Sequence, residues 1–467
     1  MELNKLFIAM TAVSTMALTA CGGSSSSSSD NTTPPAAGDV CATVGTLTED
    51  TIAIDGTDMA VCELEGVISE NATLTNDYVY RLNGYVTVGN GADEIEAVTD
   101  VEEVTLTVDA GVQFRSSGRG SLIISRGSKI MANGTAEAPI VMASEDDGFD
   151  GQGEWGGLVL QGFAKNNQCG AEMPAVCNVA DEADTGFHGG NNDADNSGSI
   201  QHLIVAEGGY EVAADQEVNG ITMHSVGYGT TVENVMVYNN ADDGIEFFGG
   251  AVNVKNMILV DNGDESIDWD DGYRGNIQFA LVRQGLVNGG DNGIEADNAG
   301  LSNTAEPVSN PTLSNITFQT GSEGSAHLMR AKVGTHGTLD KVAADNYGSA
   351  FRIANTETMV TLNDVLVEFT GTEADNILRL DDDATEANIS GWSSTSTTST
   401  VELGSAFEVT GSESTLDAAT TSESANDSTG FIVATNYIGA VAPTVTAAEN
   451  AWWYWANSVV PAAFAAE

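Results

Sequence analysis

The chain holds 467 residues, with 68 acidic side chains against 15 basic ones and a formal net charge of −53 at pH 7. Phosphate backbones are held by clustered Lys and Arg, so this balance excludes nucleic acid as a partner. It fits solubility in salty water, binding of divalent cations, or attraction to cationic surfaces; Val, Ile and Leu are plentiful, so a packed core is within reach.

In chain order, Lys5 gives a short positive start. Leu6 to Leu18 is then mostly apolar, the length of a signal h-region and too short to span a bilayer. It ends in Leu18-Thr19-Ala20-Cys21. That run resembles the lipobox of bacterial lipoproteins, which implies removal of residues 1–20 and acylation of Cys21. Each buried lipid CH₂ contributes about 0.8 kcal/mol, so several chains make a firm membrane anchor. Gly22 stands where an Asp would retain such proteins at an inner membrane, so the resemblance implies the outer membrane and leaves the leaflet open. Residues 21–39, with six serines from Ser24 to Ser29 and then Pro34-Pro35, have nothing to bury and read as a solvated tether.

Residues 40–95 read as an N-terminal cap. The four remaining cysteines in an exported chain imply disulfides, and sequence proximity favours Cys41–Cys62 and Cys169–Cys177. A Cys-based metal site is disfavoured, because there is no Cys-x-x-Cys pair and no supporting His spacing.

Residues 96–400 consist of short apolar runs punctuated by Gly, Asn and Asp, which means an all-β protein. The runs repeat. Thr231 to Tyr238 is followed by Asp243-Gly244-Ile245-Glu246-Phe247. Val252 to Val260 is followed by Glu265-Ser266-Ile267-Asp268-Trp269, and Asn276 to Val282 by Asn292-Gly293-Ile294-Glu295-Ala296. Ile245, Ile267 and Ile294 are 22 and 27 residues apart. A leucine-rich-repeat ladder is absent, so the period reads as a right-handed parallel β-helix with polar turns of variable length. Successive coils then place like residues about 4.8 Å apart, predicting about twelve coils and a rod of around 60 Å. Residues 401–467 are expected to close the other end, with Ser/Thr-rich loops at 393–400 and 412–428. The patch Trp452 to Trp455 reads as a plug over the rod, or as a stacking surface for sugars.

Several segments carry a resemblance. Gly127-Ser128-Lys129-Ile130 leads to Ala132-Asn133-Gly134-Thr135 and Ala138-Pro139-Ile140-Val141. Glu154-Trp155-Gly156-Gly157 and Tyr437-Ile438-Gly439 follow. Over about residues 100–467 the chain is similar to parallel β-helix surface lipoproteins of Gram-negative bacteria. That resemblance implies a fold and a location, and it brings no catalytic residues.

Two constellations are candidate cation sites, with calcium the expected ion. Asp193, Asp195 and Ser197 stand in an Asp-x-Asp-x-Ser-Gly run, but the twelfth position is Ile204, so this is a partial calcium loop at best. Glu246, Asp268 and Glu295 recur at one place in three coils. A stack of carboxylates repels itself and raises its pKa values unless a cation intervenes. Arg274, Arg330, Arg352 and Arg379 are expected to extend that face with opposite sign. Asn240-Ala241-Asp242-Asp243 and Gly263-Asp264-Glu265 are similar to polygalacturonase motifs, but the Gly-His-Gly and Arg-x-Lys elements are missing. A lyase-like set of Asp264, Asp268, Asp271 and Arg274 fits only loosely. His202, His224 and His327 read as isolated surface residues. The sequence therefore predicts a surface lipoprotein acting as a binding, adhesion or structural module linked to carbohydrate or cations. The alternative is a calcium-dependent lyase or hydrolase of acidic polysaccharide.

Overall fold

The computed structural model describes residues 40–465, apart from 147, 214–215, 288–289, 300–301, 322–326, 370–376, 393–399, 412–413 and 421–429. The expected signal segment 1–20, the expected acylation site Cys21 and the expected tether 21–39 lie outside the described residues.

The short runs become strands of one 26-stranded sheet, parallel except for its first hairpin. It winds as a right-handed parallel β-helix. One ladder runs from Gly66 through Val86, Leu122, Leu158, Ile221, Ile245, Ile267, Ile294, Met329 and Phe351 to Leu378, and its members from Val86 to Phe351 point inward and are buried. Ile245, Ile267 and Ile294 are thus stacked neighbours, all fully buried. Ten steps of ~4.8 Å make this ladder roughly 48 Å long, a little shorter than the period predicted.

The polar punctuation becomes corners. His202, Asn234, Asn256, Phe279, Asn315 and Lys341 fall at one corner of successive coils, with φ between 48° and 63°. Asn tolerates this left-handed region better than most residues, which explains its recurrence there. A second corner holds Ser225, Gly249 and Asp271, with φ of 50°, 70° and 56°.

Both expected disulfides, Cys41–Cys62 and Cys169–Cys177, are present. The first ties the short helix Val40–Val44 over the start of the rod, where Cys41, Cys62, Leu64 and Leu74 join the core. Coiling begins earlier than the boundary expected at 95/96. Strand Thr57–Ile68 already pairs in parallel with Val79–Val88, because Val61, Leu64 and Leu82 present an inward face.

The described residues of 401–465 do not sit over the far end, as the sequence suggested; Trp392 packs against Phe351 there, with ring centroids 5.6 Å apart. They form a strap along the flank. One side of the rod points Ile204, Met236, Ile258 and Leu281 outward, and Trp453, Trp455 and Val460 bury that apolar stripe. Asn315 Nδ2 donates to Tyr437 O and Gly439 O at 3.0 and 3.2 Å. Trp453 is buried, with Nε1 donating to Ala406 O at 2.9 Å, so it is unavailable to sugars. Within the segment expected as a loop at 412–428, Thr415–Thr420 forms a strand paired with Thr435–Tyr437.

Candidate functional site

Glu246, Asp268 and Glu295 fall in parallel register on strands Ile245–Phe248, Ile267–Asp270 and Asn292–Ala296. They alternate with the buried Ile stack and so face outward. The same offset aligns the residues just before each strand. Gly244 N–H donates to Glu265 O, and Asp291 N–H donates to Asp264 O. Asp242, Asp264 and Asp291 therefore form a second column, and Asp243, Glu265 and Asn292 a third. The result is a lattice of acids three coils long.

The lattice lines a cleft of about 570 Å³, together with Glu182, Glu217 and Arg330. Among the described residues, ten carboxyl groups border it. Within it, three trios bring carboxylate oxygens within 4.8 Å of one another: Asp242–Asp243–Asp264, Asp243–Glu246–Asp268 and Asp264–Glu265–Asp291. Oxygen-only clusters of this kind suit hard cations.

Crowding shows in the proton affinities. Burial, reinforced by Asp242 and Asp268, pushes Asp243 well above the usual carboxylate range. Burial and neighbouring acids do the same to Glu246 and Asp268. Burial with Asp264 lifts Asp242 to about 7, burial with Asp268 lifts Glu265 to about 9, and burial with Asp242 lifts Glu182 to about 8. Without a cation, several of these groups are protonated at neutral pH; a divalent ion competes with those protons. Asn219 Nδ2 donates to Glu246 Oε2 at 2.6 Å, Asn292 Nδ2 to Glu265 Oε1 at 2.6 Å, and Glu265 N–H to Asp243 Oδ1 at 2.9 Å.

The acid column ends abruptly. Glu295 pairs with Arg330 at 2.9 Å and with Lys332. The column then continues as Arg330, Arg352 and Arg379. Asp381 sits between the last two, 2.8 Å from Arg352 and 3.1 Å from Arg379. One outward line of the rod thus reads acid, acid, acid, Arg, Arg, Arg.

The other expected residues are placed elsewhere. Arg274 does not extend this face; its guanidinium grips both oxygens of Asp193 at 3.1 Å. Lys165 adds a contact to Asp193 at 2.8 Å. Burial works against ionisation of Asp193, but Arg274 and Lys165 outweigh it and hold the carboxyl at about 2. Asp195 accepts from Phe163 N–H at 3.1 Å, and Ser197 is buried. Asp193, Asp195 and Ser197 are not among the converging clusters of the described residues. The oxygens of Asp193 and Asp195 serve side-chain cations and backbone donors, while Ser197 Oγ is buried without a hydrogen-bond partner. Asp271 bonds Gln168 Nε2 at 2.6 Å and, like Arg274, does not line the cleft, so the lyase-like set of four is split. His224 is buried against His188, His202 packs on Trp455, and His327 bonds Asn292 at 3.1 Å. Glu182 and Glu217 joined the cleft unforeseen, because they arrive from long insertions between coils.

A family model described as a pectate-lyase like beta helix domain matches residues 66–424. No curated protein matches the chain, and no solved structure does.

Proposed function

The chain belongs to the pectate-lyase-like β-helix family, and from that premise we propose that it binds acidic polysaccharide at the cell envelope through divalent cations, calcium first, held in the three-coil acidic cleft. The observation that carries this reading is the lattice itself. Stacked, partly desolvated carboxyls are costly unless protons or cations neutralise them. Calcium takes six to eight oxygen ligands, so cleft carboxylates and uronate oxygens can share one ion. Arg330, Arg352 and Arg379 continue the same line and offer forked donors that match sugar carboxylates. Acylation at Cys21 would fix this cleft to the outer membrane, where a long rigid rod suits adhesion.

The test is retention of purified protein on immobilised polygalacturonate and alginate. Calcium should support binding, EDTA should abolish it, and Glu246→Gln with Asp268→Asn should weaken it at least tenfold. Binding indifferent to both treatments defeats the reading.

A second reading has its own support. Asp242, Asp243 and Asp264 converge within 4.8 Å. Asp242, held near 7, is able to give up or take a proton at neutral pH beside two further carboxyls. That is the pairing a polysaccharide hydrolase needs. New reducing ends from polygalacturonate would mark hydrolysis, and ultraviolet-absorbing unsaturated ends would mark elimination. Retention without either product leaves the binding reading.

A further inference from the structure

We infer that Asp181, His188 and His224 form a buried site for one divalent transition-metal ion of the zinc class, separate from the acidic cleft. His188 stands on strand Phe187–Gly190, His224 ends strand Ile221–His224, and Asp181 opens the turn before Glu182–Asp184. The three side chains are 1%, 2% and 0% exposed. His188 Nε2 lies 3.7 Å from Asp181 Oδ1, and His224 Nε2 lies 3.8 Å from Asp181 Oδ2. One ligand atom from each residue converges within 4.8 Å. These gaps are too long for hydrogen bonds, yet an ion about 2.1 Å from each atom spans them.

An independent observation points to a missing ligand. Asp181 Oδ1 is buried and has no hydrogen-bond partner. Leaving a buried carboxylate oxygen bare costs far more than an exposed one, so such atoms normally have a partner. The surrounding bonds also suit metal binding. His188 Nδ1 is 2.7 Å from Ser225 Oγ. A proton donated there leaves the Nε2 lone pair free on the side of Asp181. Gln161 and Thr185 both donate to Asp181 Oδ2, which fixes the carboxylate. Arg126 spends its own donors on Gly91 O, Asp93 O, Cys177 O and Asn178 Oδ1.

Two imidazoles and a carboxylate select zinc or its neighbours over calcium and magnesium, which take oxygen. The ion would pin the insertion closed by Cys169–Cys177 onto the rod. It would also fix the turn that carries Glu182 to the cleft.

The full chain, grown with zinc and passed over chelating resin, should retain one zinc ion per molecule. Cobalt exchanged into the site should give visible d–d bands without a thiolate charge-transfer band. His188→Gln with His224→Gln should lose the ion and the bands, while Glu246→Gln with Asp268→Asn keeps both. If the histidine variant fails to fold, X-ray absorption at the zinc edge of the unaltered protein decides, through imidazole scattering. Folded protein without stoichiometric zinc, a zinc edge without imidazole, or bands surviving in the folded histidine variant each overturn the inference.

Discussion

Glu246 and Asp268 stand in register on adjacent coils, acid upon acid, within a cluster whose oxygens converge to 4.8 Å. A fold that stacks them gains from protons. Asp242, Glu182 and Glu265 rise from ordinary values of 3.8, 4.5 and 4.5 to about 7, 8 and 9. The folded state therefore binds more protons than the unfolded chain across that interval. Their stabilising contribution is whole below pH 3.8 and is lost as pH climbs through 7 to 9. Thermal midpoints in EDTA should fall by several degrees between pH 5 and 9, and calcium should flatten that decline. A midpoint that rises with pH in EDTA would refute the raised affinities.

Asp268→Asn should stabilise the chain in EDTA at pH 8, because it removes a carboxyl that burial and neighbouring acids make costly to ionise, and that the unfolded chain would leave ionised, while keeping the side chain's shape. In calcium the same change should be neutral or destabilising, since it deletes a ligand. Melting curves in the two buffers should cross in sign, which a purely structural Asp268 would not produce.

Ile267 is fully buried between Ile245 and Ile294. Ile267→Ala opens a gap in a close-packed stack and should cost about 2–5 kcal/mol. Urea unfolding followed by circular dichroism measures it. Glu246 and Asp268 share these strands, so calcium-dependent binding should weaken in parallel.

Arg274→Ala leaves Asp193 with Lys165 alone. The pair contributes stability above pH 3.8 that fades as pH falls through about 2, worth about 2 kcal/mol when whole. Urea unfolding at pH 7 should show most of that loss. At pH 2 the variant and the parent should converge.

The ladder was legible because Ile245, Ile267 and Ile294 recur with a small residue before and an acid after, and parallel pairing turns recurrence into contact. The switch from acids to Arg330, Arg352 and Arg379 was readable for the same reason. Insertions carry no such period. His188 and His224 are 36 positions apart along the chain and meet only because the disulfide-closed excursion folds back onto the coil. Arg274 lies close in sequence to Asp268, yet a corner at Asp271, with φ of 56°, turns it toward Asp193. The strap was misplaced because Met236, Ile258 and Leu281 alternate with inward residues that are equally apolar. Sequence alone did not mark which face lay outside.

That outer stripe gives the last prediction. Trp453 is 2% exposed, stacks on Phe464 with centroids 4.5 Å apart, and belongs to the cluster covering Met236 and Ile258. Trp453→Ala should cost about 3–5 kcal/mol of local stability and loosen residues 440–465 from the flank. The coils keep their ladder bonds, so far-ultraviolet dichroism should barely change. Exposed apolar surface should instead appear as dye binding and as self-association at raised concentration. Amide exchange should quicken along the strap and on strands Thr231–Tyr238 and Asn253–Val260 beneath it, while the acidic cleft keeps its calcium response. Collapse of the whole rod in this variant would mean that the strap is part of the folding core.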